Sequence, residues 1–135
     1  MNNKLEHLKM IQSIITRMNT NSFQIKGWTV TLVSALLALY ANCDEVKYIY
    51  IAIVPVIVFW VLDSFFLQQE RKFRALYNDI VNTIRYGEEI KEFSMPIVNY
   101  NNCQYCLLRT MVSLSCFPLY GSLVIGLFIC GILVV

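Results

Sequence analysis

At 135 residues the chain has the length of a single domain. It is 57% hydrophobic and 15% charged, with a mean hydropathy of +0.55, where an ordinary soluble domain is about 25% charged. A soluble chain this short has too little interior to hide so much apolar surface, and the net charge of +2 carries little because the cations are spread unevenly.

The first element predicted in chain order is an amphipathic helix over residues 1–22. Leu5, Leu8, Ile11, Ile15 and Met18 recur at steps of three and four, while Glu6, Lys9, Ser13, Arg17 and Thr20 take the other face. Asn19 to Ser22 (NTNS) clusters turn and cap residues, and predicts a break before the next element. Gly27 to Cys43 then gives seventeen residues without a charge, at the short end of the roughly 17–25 that cross a bilayer. Trp28 sits where an interfacial aromatic anchor belongs.

A second span is predicted over 46–67, joined to the first by a turn at Asn42 to Lys47, so that the two make a hairpin. No breaker follows it. Phe73, Tyr77, Ile80 and Ile84 continue with helical spacing, which predicts one long helix reaching about residue 86 and stopping at Gly87. Residues 87–106 mix charge, Pro96 and an Asn-rich run and read as a loop or a short broken helix. Residues 110–135 carry no charge at all and predict a third span. Pro55 and Pro118 fall within spans, where a kink is tolerated. The fold class expected is therefore an all-α integral membrane protein, with three transmembrane helices, amphipathic cytosolic helices and an oligomeric bundle; the competing reading is a buried soluble bundle.

Orientation follows from the cations. Lys4, Lys9, Arg17 and Lys26 precede the first span; Arg71, Lys72, Arg74, Arg85, Lys91 and Arg109 lie between the second and third. Only Lys47 falls in the hairpin turn. The positive-inside rule then makes the N-terminus and the central segment cytosolic and the C-terminus extracytosolic, with the first span an uncleaved signal anchor.

Arg71, Arg74, Asn78, Asn82 and Arg85 share one face of the second cytosolic helix, beside Tyr77. Arg and Asn on one face can hold phosphates and nucleobase edges, so these five are the candidate nucleotide or oligonucleotide site. A solvated face, or a basic patch drawn to anionic lipid, accounts for the same pattern. Asp63 is the one ionisable group inside a span, about 25 Å across from Val46 at 1.5 Å per residue. Lys26 and Arg109 are at similar depth on the other spans. Two roles fit them, a structural ion pair fixing the helices or a ring around a polar vestibule. Thr31, Ala35, Ala38 and Asn42, with Ser122, Gly126 and Cys130, make small-residue faces suited to close helix packing.

No catalytic constellation is present. His7 is the sole histidine, expected on an exposed helix face. Cys103 and Cys106 form a lone CxxC with no second pair or histidine beside it, too little for a zinc site. No metal, no cofactor and no enzyme activity are expected. Three spans are too few to enclose a conduit, so any transport needs self-association, a tetramer being one arrangement that fits.

The run GWTVTLVSALLALYA, a polar turn, and PVIVFWVLDSFFLQQERKFRALYN lie within residues 27–78, about two fifths of the chain. Together they resemble a unit of small transmembrane effectors in bacterial anti-phage nucleotide-signalling systems, most of all the channel subunits of the Hailong system. The likeness lies in the hairpin-to-helix junction: Leu62, Asp63, Phe65, Phe66, Leu67, Glu70, Arg71, Phe73, Arg74, Leu76 and Tyr77. It implies a homo-oligomeric channel or membrane-disrupting effector in the bacterial inner membrane. Its cytosolic helices would take a nucleotide or single-stranded DNA oligomer made by a partner nucleotidyltransferase. A non-conducting membrane anchor that recruits a cytosolic partner is the alternative. A secondary transporter ranks third, since repeats are absent and the spans hold a single carboxylate.

Overall fold

The computed structural model describes residues 2–43, 45–87, 89, 94–100 and 106–134, and every regular element among them is helical. Helix α1 spans Asn2–Cys43 and α2 spans Lys47–Arg85; a 3-10 turn covers Ile97–Tyr100, and α3 (Leu107–Met111) and α4 (Phe117–Val134) follow. At 1.5 Å per residue α1 is about 63 Å long and α2 about 58 Å. They form one antiparallel hairpin with a polar half, where the chain begins, and an apolar half at the hairpin turn.

Each half has its own core. In the polar half Ile11 and Ile15 of α1 pack against Phe73, Leu76 and Ile80 of α2, with Leu8, Tyr77, Ile84 and the 3-10 turn around them. The two amphipathic stripes read in the sequence thus cover each other within one chain. Tyr100 donates its hydroxyl proton to Asp79, which ties the 3-10 turn to α2. His7 continues the Ile11–Ile15 stripe one turn earlier and is buried, so the exposed position expected for it is corrected.

In the apolar half Val33, Ile49, Ala52, Val56 and Leu67 meet Cys116, Tyr120 and Leu127 of the last segment. Helix α4 runs antiparallel to α2: Cys116 touches Asp63, and Gly131 lies so close to Ile49 and Tyr50 that an added Cβ would stand 3.7 Å from both. Helices α1 and α2 each contain a stretch long and apolar enough to cross a membrane, of which 22% and 28% respectively is buried, while α4 holds a shorter apolar run, Phe117–Leu133. Most of that apolar surface therefore faces outward.

Two boundaries differ from the sequence reading. The break expected at Asn19 to Ser22 does not occur, and α1 passes straight through it. Thr16 and Thr20 donate to the carbonyls of Gln12 and Thr16, one turn back, at 3.0 and 2.9 Å, and Ser22 donates to Asp63 on α2. Hydroxyls satisfied in this way do not compete for capping, and packing on α2 outweighs local propensity. The apolar segment 110–135 is instead interrupted between Met111 and Phe117. Pro118 lacks an N–H, and its ring would strike the carbonyl of Leu114 in a continuous helix, so the chain restarts at Phe117. Pro55 does not interrupt α2. Gly87 ends the second helix as expected, with φ of 76°, its N–H bonded to Ile84 O at 3.1 Å.

Candidate functional site

Where α1, α2 and the turn before α4 meet, the chain builds a buried polar junction. Asp63 is 0% exposed. Its carboxylate accepts from Lys26 Nζ at 2.5 Å, from the Ser22 hydroxyl, and from Cys116 Sγ at 3.6 Å. Lys26 Nζ also donates to Ser22 Oγ at 2.9 Å. Ser22 and Lys26 face the same way because they are one helical turn apart. Asp63 reaches them because Leu67, Val56 and Val33 seat α1 on α2 above and below it. The ion pair anticipated between Asp63 and Lys26 is therefore present. Arg109 is not part of it: the side chain is exposed and has no ion pair among the described residues, because it lies on α3 beyond the turn.

Two further contacts hold that turn to α2. Trp60 Nε1 donates to Met111 O at 3.1 Å, which occupies a carbonyl released by the helix break, and Arg71 Nη2 donates to Ser113 Oγ at 3.0 Å. Trp60 stacks on Tyr120 with ring centroids 6.0 Å apart. Tyr120 is fully buried, and among the described residues its hydroxyl has no hydrogen-bond partner; it lies one helical turn past Cys116, which bonds Asp63. Thr29 spends its own proton on Ile25 O at 2.7 Å.

The basic stripe on α2 is divided. Arg71 is engaged with Ser113, and the exposed Arg74 pairs with the buried carboxylate of Glu70 at 2.5 Å. Asn78, Asn82 and Arg85 are exposed. Gln12 and Ile15 of α1 join Arg74, Tyr77 and Asn78 around an open cleft of about 280 Å³ in the seam between the two helices. Four of the five stripe residues thus share one exposed face and two of them line the cleft, while Arg71 belongs to the turn contact. Gln12 was not legible as a site residue, since no pattern within α1 marks it.

A third feature is the face of α1 turned away from α2. Thr20, Gln24, Thr31, Ser34, Ala38 and Asn42 are all exposed on it, and with Gly27 they fall at steps of four, three, four, three, four and four. Larger apolar side chains, Trp28, Leu32 and Leu39, occupy a neighbouring strip, and Phe23 lies on the opposite flank; all four are also exposed. Ala35 lies between the two strips and is exposed, as are Ser122, Gly126 and Cys130 on α4. These small residues, expected to pack helices together, do not pack the helices of one chain. Gly126 has nothing within 4 Å of a would-be Cβ.

Among the described residues no group of three or more His, Cys, Asp or Glu side chains is arranged to hold a metal ion. Cys106 is half-buried, and Cys103, the other cysteine of the lone CxxC, lies outside the described residues. Comparison with known protein families, with curated proteins and with solved structures finds no match for this chain.

Proposed function

We propose that the protein is a homo-oligomeric channel, or membrane-disrupting effector, of the bacterial inner membrane. The outward face of α1 is the observation that carries this reading. Within a stretch long and apolar enough to cross a membrane, Thr31, Ser34 and Ala38 point away from the rest of the chain and lie beside a strip of Trp28, Leu32 and Leu39. Polar groups gain nothing from lipid and gain much from water or from another helix. A step pattern of four and three is also the spacing with which helices supercoil about a common axis. Copies of α1 arranged around such an axis would turn this face inward, the apolar strip toward lipid and the α2 contact outward. One hairpin with a half-helix beside it cannot enclose water, so the conduit belongs to an assembly.

The cleft at Gln12, Arg74, Tyr77 and Asn78, with Asn82 and Arg85 further along α2, is the ligand site in this reading. Guanidinium and amide groups beside an aromatic ring suit a phosphodiester and a base. The resemblance of residues 27–78 to anti-phage effectors supplies the rest: a nucleotide or single-stranded DNA oligomer made by a partner nucleotidyltransferase, acting in defence. Because α1 and α2 run unbroken from the cleft into the apolar half, a ligand that shifts their spacing acts directly on the proposed wall of the conduit.

Conductance across planar bilayers, recorded from purified protein with and without a short single-stranded oligonucleotide, tests the reading. Discrete conductance altered by the oligonucleotide supports it. A protein that inserts and stays electrically silent in both conditions overturns it and leaves the anchoring role.

A further inference from the structure

We propose that Asp63 is an exchangeable anchor, held by Lys26 and Ser22 of α1 in this conformation and by the Tyr120 hydroxyl of α4 once α1 swings away. Three observations meet here. Asp63 is wholly buried where three segments join, so it cannot be left without donors. Its present cation is the one member of the junction with a route out: the Lys26 side chain is 19% exposed, and a lysine ammonium on a four-carbon stem can reach the interface while its stem stays buried. Tyr120 is the third. A buried hydroxyl without a partner is uncommon, and this one lies one helical turn past Cys116, which bonds the carboxylate that would need a donor if Lys26 left.

The ring cannot drift from that position, since it is stacked on Trp60, whose own N–H is fixed on Met111 O. Tyr120 therefore waits within reach of Asp63, and Cys116 is bonded to the carboxylate already. The exchange moves no proton to the carboxylate. Asp63 loses two donors from α1 and gains one from α4, while Lys26 takes its charge to water. The state reached in this way has α1 freed from α2 at the level of the junction and α4 still tied to α2. In the channel reading, on which only this consequence rests, the exchange frees the lining helix while the rest of the protomer keeps its shape.

The test uses Cys116, which is fully buried, as the reporter. In full-length protein reconstituted into lipid vesicles, with Cys43, Cys103, Cys106 and Cys130 replaced by Ser, the alkylation rate of Cys116 by a small maleimide measures opening of the junction. Lys26→Met should raise that rate at least about tenfold, and Tyr120→Phe alone should leave it unchanged. Combined, Lys26→Met/Tyr120→Phe should alkylate several-fold faster again than Lys26→Met, because the carboxylate then has neither its cation nor the tyrosine hydroxyl and Cys116 is left as its donor from α4. An equal effect of Tyr120→Phe in both backgrounds, or none in either, overturns the exchange, since a hydroxyl with a purely structural role has no reason to matter only when Lys26 is gone. Asp63→Asn, which keeps the side chain's size, should remove the dependence on Tyr120; persistence of that dependence also overturns the proposal. Helix content from circular dichroism identifies any variant that has not folded. Alkylation needs no conductance, so an electrically silent protein would sink the channel reading and leave this result standing.

Discussion

A carboxylate that is fully buried beside a lysine makes a sharp demand on stability. Removing one member of a buried pair leaves an uncompensated charge, at a typical cost of about 3–5 kcal/mol, whereas replacing both members with apolar groups is often close to neutral. Lys26 is partly exposed, so Lys26→Met belongs at the low end, about 3 kcal/mol, and Lys26→Met/Asp63→Leu should regain most of that stability. Thermal unfolding in a mild detergent would read both, and a double variant no better than Lys26→Met would show that the pair is not the junction's main anchor. The need for a pair was legible in the sequence because a lone carboxylate in an apolar run calls for a cation at its own depth, but Lys26 and Arg109 fitted that depth alike. Ser22, Cys116 and Tyr120 were not legible. Ser22 and Cys116 reach Asp63 across 41 and 53 positions of chain, and nothing in their local sequence distinguishes them from other small or aromatic residues of a span.

The long helices owe their length to different causes. Helix α2 was readable from end to end, since a single apolar periodicity runs from the hairpin turn to a glycine that takes a positive φ. An alanine at position 87 would have to adopt that left-handed conformation, and Gly87→Ala should cost about 1–2 kcal/mol in unfolding experiments. Helix α1 hides its continuity, because the NTNS run carries the residues of a turn and only the contact with α2 recruits Ser22 into a bond. The interrupted segment is the opposite case. Pro118→Ala restores an N–H for Leu114 O and removes the ring clash, so α3 and α4 should draw toward one helix. Slower hydrogen exchange over residues 113–117 would register the merger, and unchanged exchange would locate the cause of the break in the contacts from Trp60 and Arg71 instead.

For the assembled molecule the outward face of α1 makes a specific forecast. No charged residue lies between Lys26 and Asp44, so a passage lined by this face is neutral and should discriminate weakly between small cations and anions; reversal potentials near zero under a salt gradient would agree, and strong selectivity of either sign would argue for another lining. Thr31→Trp or Ser34→Trp should abolish conductance, while Leu39→Trp on the apolar strip should leave most of it. Orientation is testable by thiol labelling in intact cells, where Cys43 should react from outside and Cys106 should not. Arg74→Ala/Arg85→Ala should weaken oligonucleotide binding and flatten its salt dependence, because a protein that neutralises fewer phosphates releases fewer counterions on binding. The N-terminal stripe gives little drive to self-association, since Ile11 and Ile15 are covered by Phe73, Leu76 and Ile80 of the same chain. Ile11→Ala should therefore lower the stability of the protomer, by about 2–5 kcal/mol, more than it alters the oligomer seen in native mass spectrometry.

The sequence by itself determined the helical class, the hairpin, the long second helix and the need of Asp63 for a cation, with Lys26 and Arg109 as the two candidates. Each of these follows from periodicity, from the length of an apolar run or from a charge that must be answered nearby. Tertiary structure alone decided which stripes are used up within the chain and which remain outside. The amphipathic stripes of residues 5–18 and 73–84 cancel because the hairpin brings them face to face, while the small and polar residues of α1 stay exposed because α2 packs on the other side of that helix and α4 packs on α2. A helical pattern states which residues share a face. What that face meets depends on segments distant in sequence, and their arrangement is set only when they pack.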